Sequence, residues 1–281
     1  MFDNAYEALS SEGDARWAFG TGFADPLSGV DTTVPSDVDA DELAAYCLML
    51  ADDALVMSHR LQEWCTRAPE LEDEVALANI GLDLLGQARL LLTRAGKADG
   101  TERSDDDLAF LRDAPEFRNV RLVELGNGDF AFSMARLLVF STWRLAVLQR
   151  LVLAADPVLA AIAAKGVKEI TYHRDYAAQW VVRLGDGTEL SHQKMQDGLD
   201  AVWPYVGELF AGHPSEMLDP ASVLPEFDAV IAQVLDAAGL TRPESVGAGE
   251  VFGRDGVHTE ALPKLLAEMQ SVARAHPGAT W

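Results

Sequence analysis

Past residue 38 the chain is a succession of long segments in which apolar residues recur every three or four positions, separated by short Pro/Gly punctuation. No run of alternating Val, Ile and Thr argues for a strand, so the pattern predicts an all-α fold. The first helix is expected from about Asp39 through LAAYCLMLADDALVMSHRLQEW, with acids at its start, and it ends before Pro69. A second follows from Glu70 to about Ala95, stopped by Gly96. Ser104 to Arg112 reads as a short helix opened by a capping box, with Asp107 three residues after Ser104. GNGD at 126–129 is a turn, a third long helix reaches about Ala154, and Pro157 opens a fourth that runs to Leu184. Leu190 to Phe210, Leu224 to Ala238 and Thr259 to Ala275 complete the pattern. Four helices of about 25 residues are each about 40 Å long at 1.5 Å per residue. That length suits a long four-helix bundle with additional peripheral helices.

The first 38 residues lack this period. From Met1 to Glu42 ten acids face a single base, Arg16, with Gly, Ser and Pro scattered between them. Residues 1–38 are therefore expected to form a mobile acidic arm, and 39–281 one helical domain. Trp17, Phe19 and Phe23 are the arm's candidates for docking on a partner.

Charge narrows the function classes. Across 281 residues, 22 Lys and Arg stand against 45 Asp and Glu, a formal net charge of −23. Coating of DNA or RNA is excluded, because that affinity comes from cations neutralising phosphates. Anionic membrane surfaces are disfavoured by the same sign. The amino terminus has acids where a secretory leader needs bases and an apolar stretch. The longest apolar stretches are broken by Arg144 and Arg150, short of the ~18 uncharged residues of a spanning helix. Cys47 and Cys65 both fall in helical sequence, so neither a disulfide framework nor a cysteine zinc site is expected. These features together predict a cytoplasmic protein without nucleic-acid or membrane partners.

Candidate chemistry lies in polar residues within otherwise apolar helices. Asn79, Asp83 and Gln87 stand at i, i+4 and i+8 in the second helix, and Lys165, Glu169 and His173 share that spacing in the fourth. Asp129, Ser133 and Arg136 open the third, and Asp52 and Asp53 sit mid-helix in the first. Carboxylates pointing inward from four long helices are how bundles hold two iron or manganese ions, with Glu-x-x-His on two of the helices. Here that pattern fails: Ile170 stands three residues before His173, while Gln87 and Leu84 occupy the other pair of positions. Glu189 and His192 make the one literal Glu-x-x-His, beside the GDG turn, where a helix start explains the Glu. The stripe of Asp83, Gln87, Asp129, Lys165, Glu169 and His173 thus reads as a degenerate metal site. Lys165, with Arg136 as a second candidate, is expected to neutralise Asp83, Glu169 and Asp129 where metal would have sat. No nucleophile elbow, phosphate loop or dinucleotide fingerprint is present.

Several segments carry a resemblance. RLQEWCTRAPELEDEVALANIGLDLLGQAR (60–89), LAFLRDAPEFRNVRLVELGNGDFAFSMAR, KEITYH ending at His173, RLGDGTELSHQKMQ and DGVHTEALPKLLAEMQ are similar to the C-subunit family of phenylacetyl-CoA epoxidase (ring 1,2-epoxygenase) complexes, over roughly residues 40–281. The resemblance implies a ferritin-like, non-catalytic subunit that pairs with a homologous di-iron catalytic A subunit. It also implies a bridging B subunit and an E subunit reductase with FAD and an iron–sulfur centre. This chain would then hold no cofactor and would help form the groove for the CoA part of phenylacetyl-CoA. Glu116, Phe117, Arg118 and Asn119 match the groove stretch, although only the Phe and Asn are common to the family. Two other readings stand beside it: a stand-alone ferritin-like di-iron oxidase, and a ferritin-like binding module unrelated to CoA substrates.

Overall fold

Nine α-helices and no strand are found among the described residues of the computed structural model, which are 27–244, 252–277 and 279. The architecture is the all-α, ferritin-like one expected. Four long helices form its body: α1 (Ala40–Gln62), α2 (Leu71–Ala98), α4 (Phe130–Leu151) and α5 (Pro157–Gly185). The short α3 (Asp105–Phe110) links the halves, and α6 (Glu189–Val202), α7 (Leu224–Ala238), α8 (Ala261–Met269) and α9 (Ser271–Ala275) lie around them.

Caps set most of the boundaries. Asp39 accepts from the amides of Asp41 and Glu42, Asp156 from Leu159, and Ser104 makes the expected capping box with Asp107. α2 does not stop at Gly96 but continues to Ala98. Glycine is needed there for close approach, since a Cβ at Gly96 would lie 2.1 Å from the carbonyl oxygen of Arg103. The segment expected as one helix over Thr259 to Ala275 divides at Gln270, whose side-chain amide donates to the carbonyls of Ala109 and Arg112 at 3.0 and 2.9 Å. Likewise, the piece expected to reach Phe210 ends as α-helix at Val202 and continues in 3₁₀ turns around Pro204.

The long helices pair as two hairpins, α1 with α2 and α4 with α5. Ser58 of α1 donates to the carbonyl of Gly81 in α2 at 2.6 Å, fixing the first hairpin's register. α4 is buried on nearly every side, from Ala131 to Leu151, and this includes Arg136 and Arg144. α2 and α5 are also joined by polar contacts: Asp73 accepts from Tyr176 Oη at 2.8 Å and Trp180 Nε1 at 3.0 Å. By length and composition alone α2 and α4 would pass as membrane spans, so the expectation that no helix qualifies is corrected. In α4 that apolar character is core, 94% buried over the relevant window, whereas α2 is 44% buried there.

The arm's boundary also moves. Leu27, Val30, Val34 and Val38 pack against the core, and Arg94 of α2 donates to the carbonyl of Thr32 at 2.7 Å. Residues 27–38 therefore belong to the packed structure rather than to an arm. Trp17, Phe19 and Phe23 lie outside the described residues.

Candidate functional site

One hydrogen-bonded network touches all four long helices at the middle of the body. Arg144 of α4 donates from Nε to Gln87 Oε1 of α2 and from Nη1 to the carbonyl of Leu50 in α1, both at 3.1 Å. Gln87 Nε2 passes the chain on to Glu169 Oε2 of α5 at 2.9 Å, and Lys165 pairs with the other oxygen of Glu169 one turn away. Gly166 makes room for the amide, since a Cβ there would approach Gln87 Cδ to 3.4 Å and Leu148 Cδ1 to 2.8 Å. Burial lowers the Arg144 guanidinium to about 10, with Asp53 and Glu169 among the charges opposing that fall. It remains a cation at neutral pH. Its Nη2 has no hydrogen-bond partner.

These donors do not fit a pair of metal ions. The nitrogens of a guanidinium and an ammonium offer no lone pair to a cation, and the one oxygen Gln87 presents is that of a neutral amide, already accepting from Arg144. Among the described residues no three His, Cys, Asp or Glu side chains come together in a way that could hold a metal. The network instead neutralises its single carboxylate, Glu169, with cations from two helices.

The other residues of the expected stripe distribute unevenly. Asp83 and His173 do meet: His173 Nε2 lies 3.0 Å from Asp83 Oδ2, joining α2 to α5 near the network. His173 is fully buried while the Asp83 side chain is 39% exposed. Asp129 is a correction, because it caps α4 by accepting from Phe132 N and pairs with Lys194 of α6 at 3.3 Å, at the surface. Arg136 is another, since it turns away from the stripe to the carbonyl of Leu125 and to Asn127 Oδ1. Lys165 neutralises Glu169 alone, not Asp83 or Asp129. Asn79 is exposed, so the second-helix stripe reaches the interior only from Asp83 onward. His192 Nδ1 sits 2.7 Å from the carbonyl of Gly185 at the end of α5, while Glu189 opens α6. Cys47 is buried and its thiol pushed up to about 12 by that burial, and Cys65 is exposed.

The 116–119 segment is only partly accessible. Phe117 and Asn119 are fully buried, the first beneath the Arg112 guanidinium at 4.2 Å and the second donating to Glu124 Oε1 at 2.9 Å. Glu116 closes a 3₁₀ capping box on Asp113. Arg118 is half-buried, with Nη1 turned onto the carbonyls of Pro115 and Phe117 at 2.6 and 2.8 Å.

Paired carboxylates on α1 anchor this region. Asp52 accepts from Arg112 Nη1 at 3.0 Å and from the Arg118 amide at 2.8 Å. Asp53 accepts both terminal nitrogens of Arg254 at 3.0 and 2.8 Å, and the Val120 amide at 2.8 Å. Both aspartates are fully buried. They tie residues 112–120 and the carboxyl-terminal segment to the helical body, with fork-shaped guanidinium pairing. Adjacent mid-helix acids are the sequence signal for such a pair, but only the fold reveals which arginines meet them. Arg144 carried no comparable signal, since its partners come from other helices.

A model of the family described as phenylacetic acid catabolic protein matches residues 28–281 of this chain. Among curated proteins, the C subunit of 1,2-phenylacetyl-CoA epoxidase from Escherichia coli (strain K12) is 43% identical over 249 residues, covering 86% of this chain and 100% of that protein.

Proposed function

The chain belongs to the phenylacetic acid catabolic protein family, and from that premise we propose that it is the non-catalytic subunit of a complex that epoxidises the aromatic ring of phenylacetyl-CoA. It pairs with a homologous subunit that holds the two irons. A bridging subunit and a reductase with FAD and an iron–sulfur centre complete the complex, which works in the cytoplasm. The observation that carries this reading is the Arg144–Gln87–Glu169–Lys165 network, which puts a buried guanidinium, Arg144, at the centre of the four long helices and a second cation, the half-buried Lys165, beside it on Glu169. A stand-alone di-iron oxidase would need carboxylate and imidazole donors at those places.

In this reading the chain's share of the substrate groove falls to Arg118. Phe117 and Asn119 are buried, and the Glu116 carboxylate would repel a phosphate. A guanidinium released from the Pro115 and Phe117 carbonyls is suited to a CoA phosphate.

Co-expression with the homologous subunit tests the assignment. The two chains should copurify and, with the bridging subunit, the reductase, NADPH and dioxygen, epoxidise phenylacetyl-CoA, while each alone with the reductase is inactive. Arg118→Gln should raise KM for the thioester about tenfold and leave kcat unchanged, as loss of one charged contact outside the reacting atoms does. Turnover by this chain alone, with the same reductase, would refute the assignment.

A further inference from the structure

α2 carries two apolar seams. The inner one, Leu77, Ile80, Leu84, Ala88 and Leu91, is buried in the body. The second consists of Leu71, Val75, Ala78, Leu82 and Leu85, spaced four, three, four and three residues apart. At 100° per residue these five fall along one stripe of the helix, separate from the inner seam. Leu71, Val75 and Leu82 are 71, 52 and 58% exposed, and Ala78 and Leu85 are half-buried. Single exposed leucines are ordinary, but a continuous row with the 3.5-residue period of knobs-into-holes packing has the form of a helix-docking seam. Its flanks carry more acids than bases: Glu72 and Glu74 lie beside its first two turns and Asp83 beside Leu82, while Arg89, next along the stripe, is already paired with Asp105 at 3.1 Å.

We propose that this outer seam of α2 receives a helix of the homologous partner subunit, one that presents an apolar stripe flanked by Lys or Arg. The proposal rests on the subunit reading above and adds the surface through which pairing occurs. Charge selects the occupant. A second copy of this chain would bring another −23 against the same acidic flanks. Residues 1–26 hold five acids and one base, so the chain's own amino-terminal segment would meet the same repulsion. An anionic lipid surface is disfavoured by the same sign. A basic-flanked helix pairs with these acids and covers the apolar row between them.

The test uses the full chain and the homologous subunit, with affinity read by calorimetry and protection by hydrogen exchange. Val75→Lys with Leu82→Lys should weaken the complex about 100-fold or more, because both charges enter the centre of the seam. The isolated variant should melt as the wild type does, since both positions are exposed. Leu153→Lys, at an 87% exposed leucine beyond α4, should bind as the wild type. Amides of residues 71–85 should gain protection in the complex. Wild-type affinity in the double variant would overturn the seam while leaving the subunit reading intact. Failure of the wild-type chains to associate would overturn both. A double variant that abolishes self-association but not the complex would make the occupant a second copy. Loss of protection at 71–85 on deleting residues 1–26 from the isolated chain would make it the chain's own segment, and either result overturns the proposal.

Discussion

Asp53 and Asp83 show how burial decides what one carboxylate contributes. Asp53 is fully buried and holds both forks of Arg254, itself inaccessible. Asp53→Ala strands a buried guanidinium and should cost ~3–5 kcal/mol in chemical denaturation. Asp83 is 39% exposed, so Asp83→Ala should cost only about 1 kcal/mol, because water screens the contact and can solvate His173 in its place. Equal costs would mean that the Asp83–His173 contact is not screened. Glu216 supplies a pH dependence. Burial raises its carboxyl from 4.5 to about 7, against the pull of Arg254. The folded chain keeps a proton there that the unfolded chain gives up above about pH 4.5, so this group's contribution falls as pH rises towards 7 and is level beyond. The stability difference between Glu216→Gln and wild type should therefore grow in the variant's favour across that window. A difference independent of pH would place the titration elsewhere. Of these residues, the sequence marks Asp52, Asp53, Asp83 and His173 by their positions in apolar helices. Glu216 lies in an irregular segment where no period singles it out.

At the scale of elements, two glycines of α2 act oppositely. Gly96 faces the Arg103 carbonyl at a distance no side chain can share, whereas a Cβ at Gly86 would meet nothing within 4 Å. Gly96→Ala should destabilise by ~1–3 kcal/mol through backbone displacement, and Gly86→Ala should stabilise by ~0.5–1 kcal/mol through helix propensity. Thermal melts of the two variants should shift in opposite directions, and a common sign would exclude this distinction. Gly96 also explains why the end of α2 was not legible: a glycine late in a helix reads as a stop until its packing partner is known. The long helices themselves were legible within a few residues, since their 3.6-residue period, Pro157 and the Ser104 cap are local signals. Gln270 was not, for a physical reason. Its side chain serves the carbonyls of Ala109 and Arg112, 158 or more residues away in sequence, and such a role leaves no periodic trace, whereas Asp129 reads as a member of the stripe until its local role as a helix cap is seen.

At the scale of the molecule, the central network and the outer face of α2 bear on one idea. The four long helices meet at the buried Arg144 guanidinium instead of metal donors, and among the described residues the second helix leaves an apolar row partly exposed, as suits a chain that assembles with another rather than reacting by itself. The sequence exposed the broken Glu-x-x-His pattern directly. It could not expose Arg144, because a lone arginine in an apolar helix carries no sign of whether it reaches solvent or the core. The most direct measurement is iron content of the isolated chain after anaerobic reconstitution with excess ferrous ion, beside the homologous subunit treated identically. The isolated chain should retain well below one iron per molecule, and the homologous subunit about two. Two irons in this chain would contradict the assignment of its centre as a cation-filled, non-catalytic site.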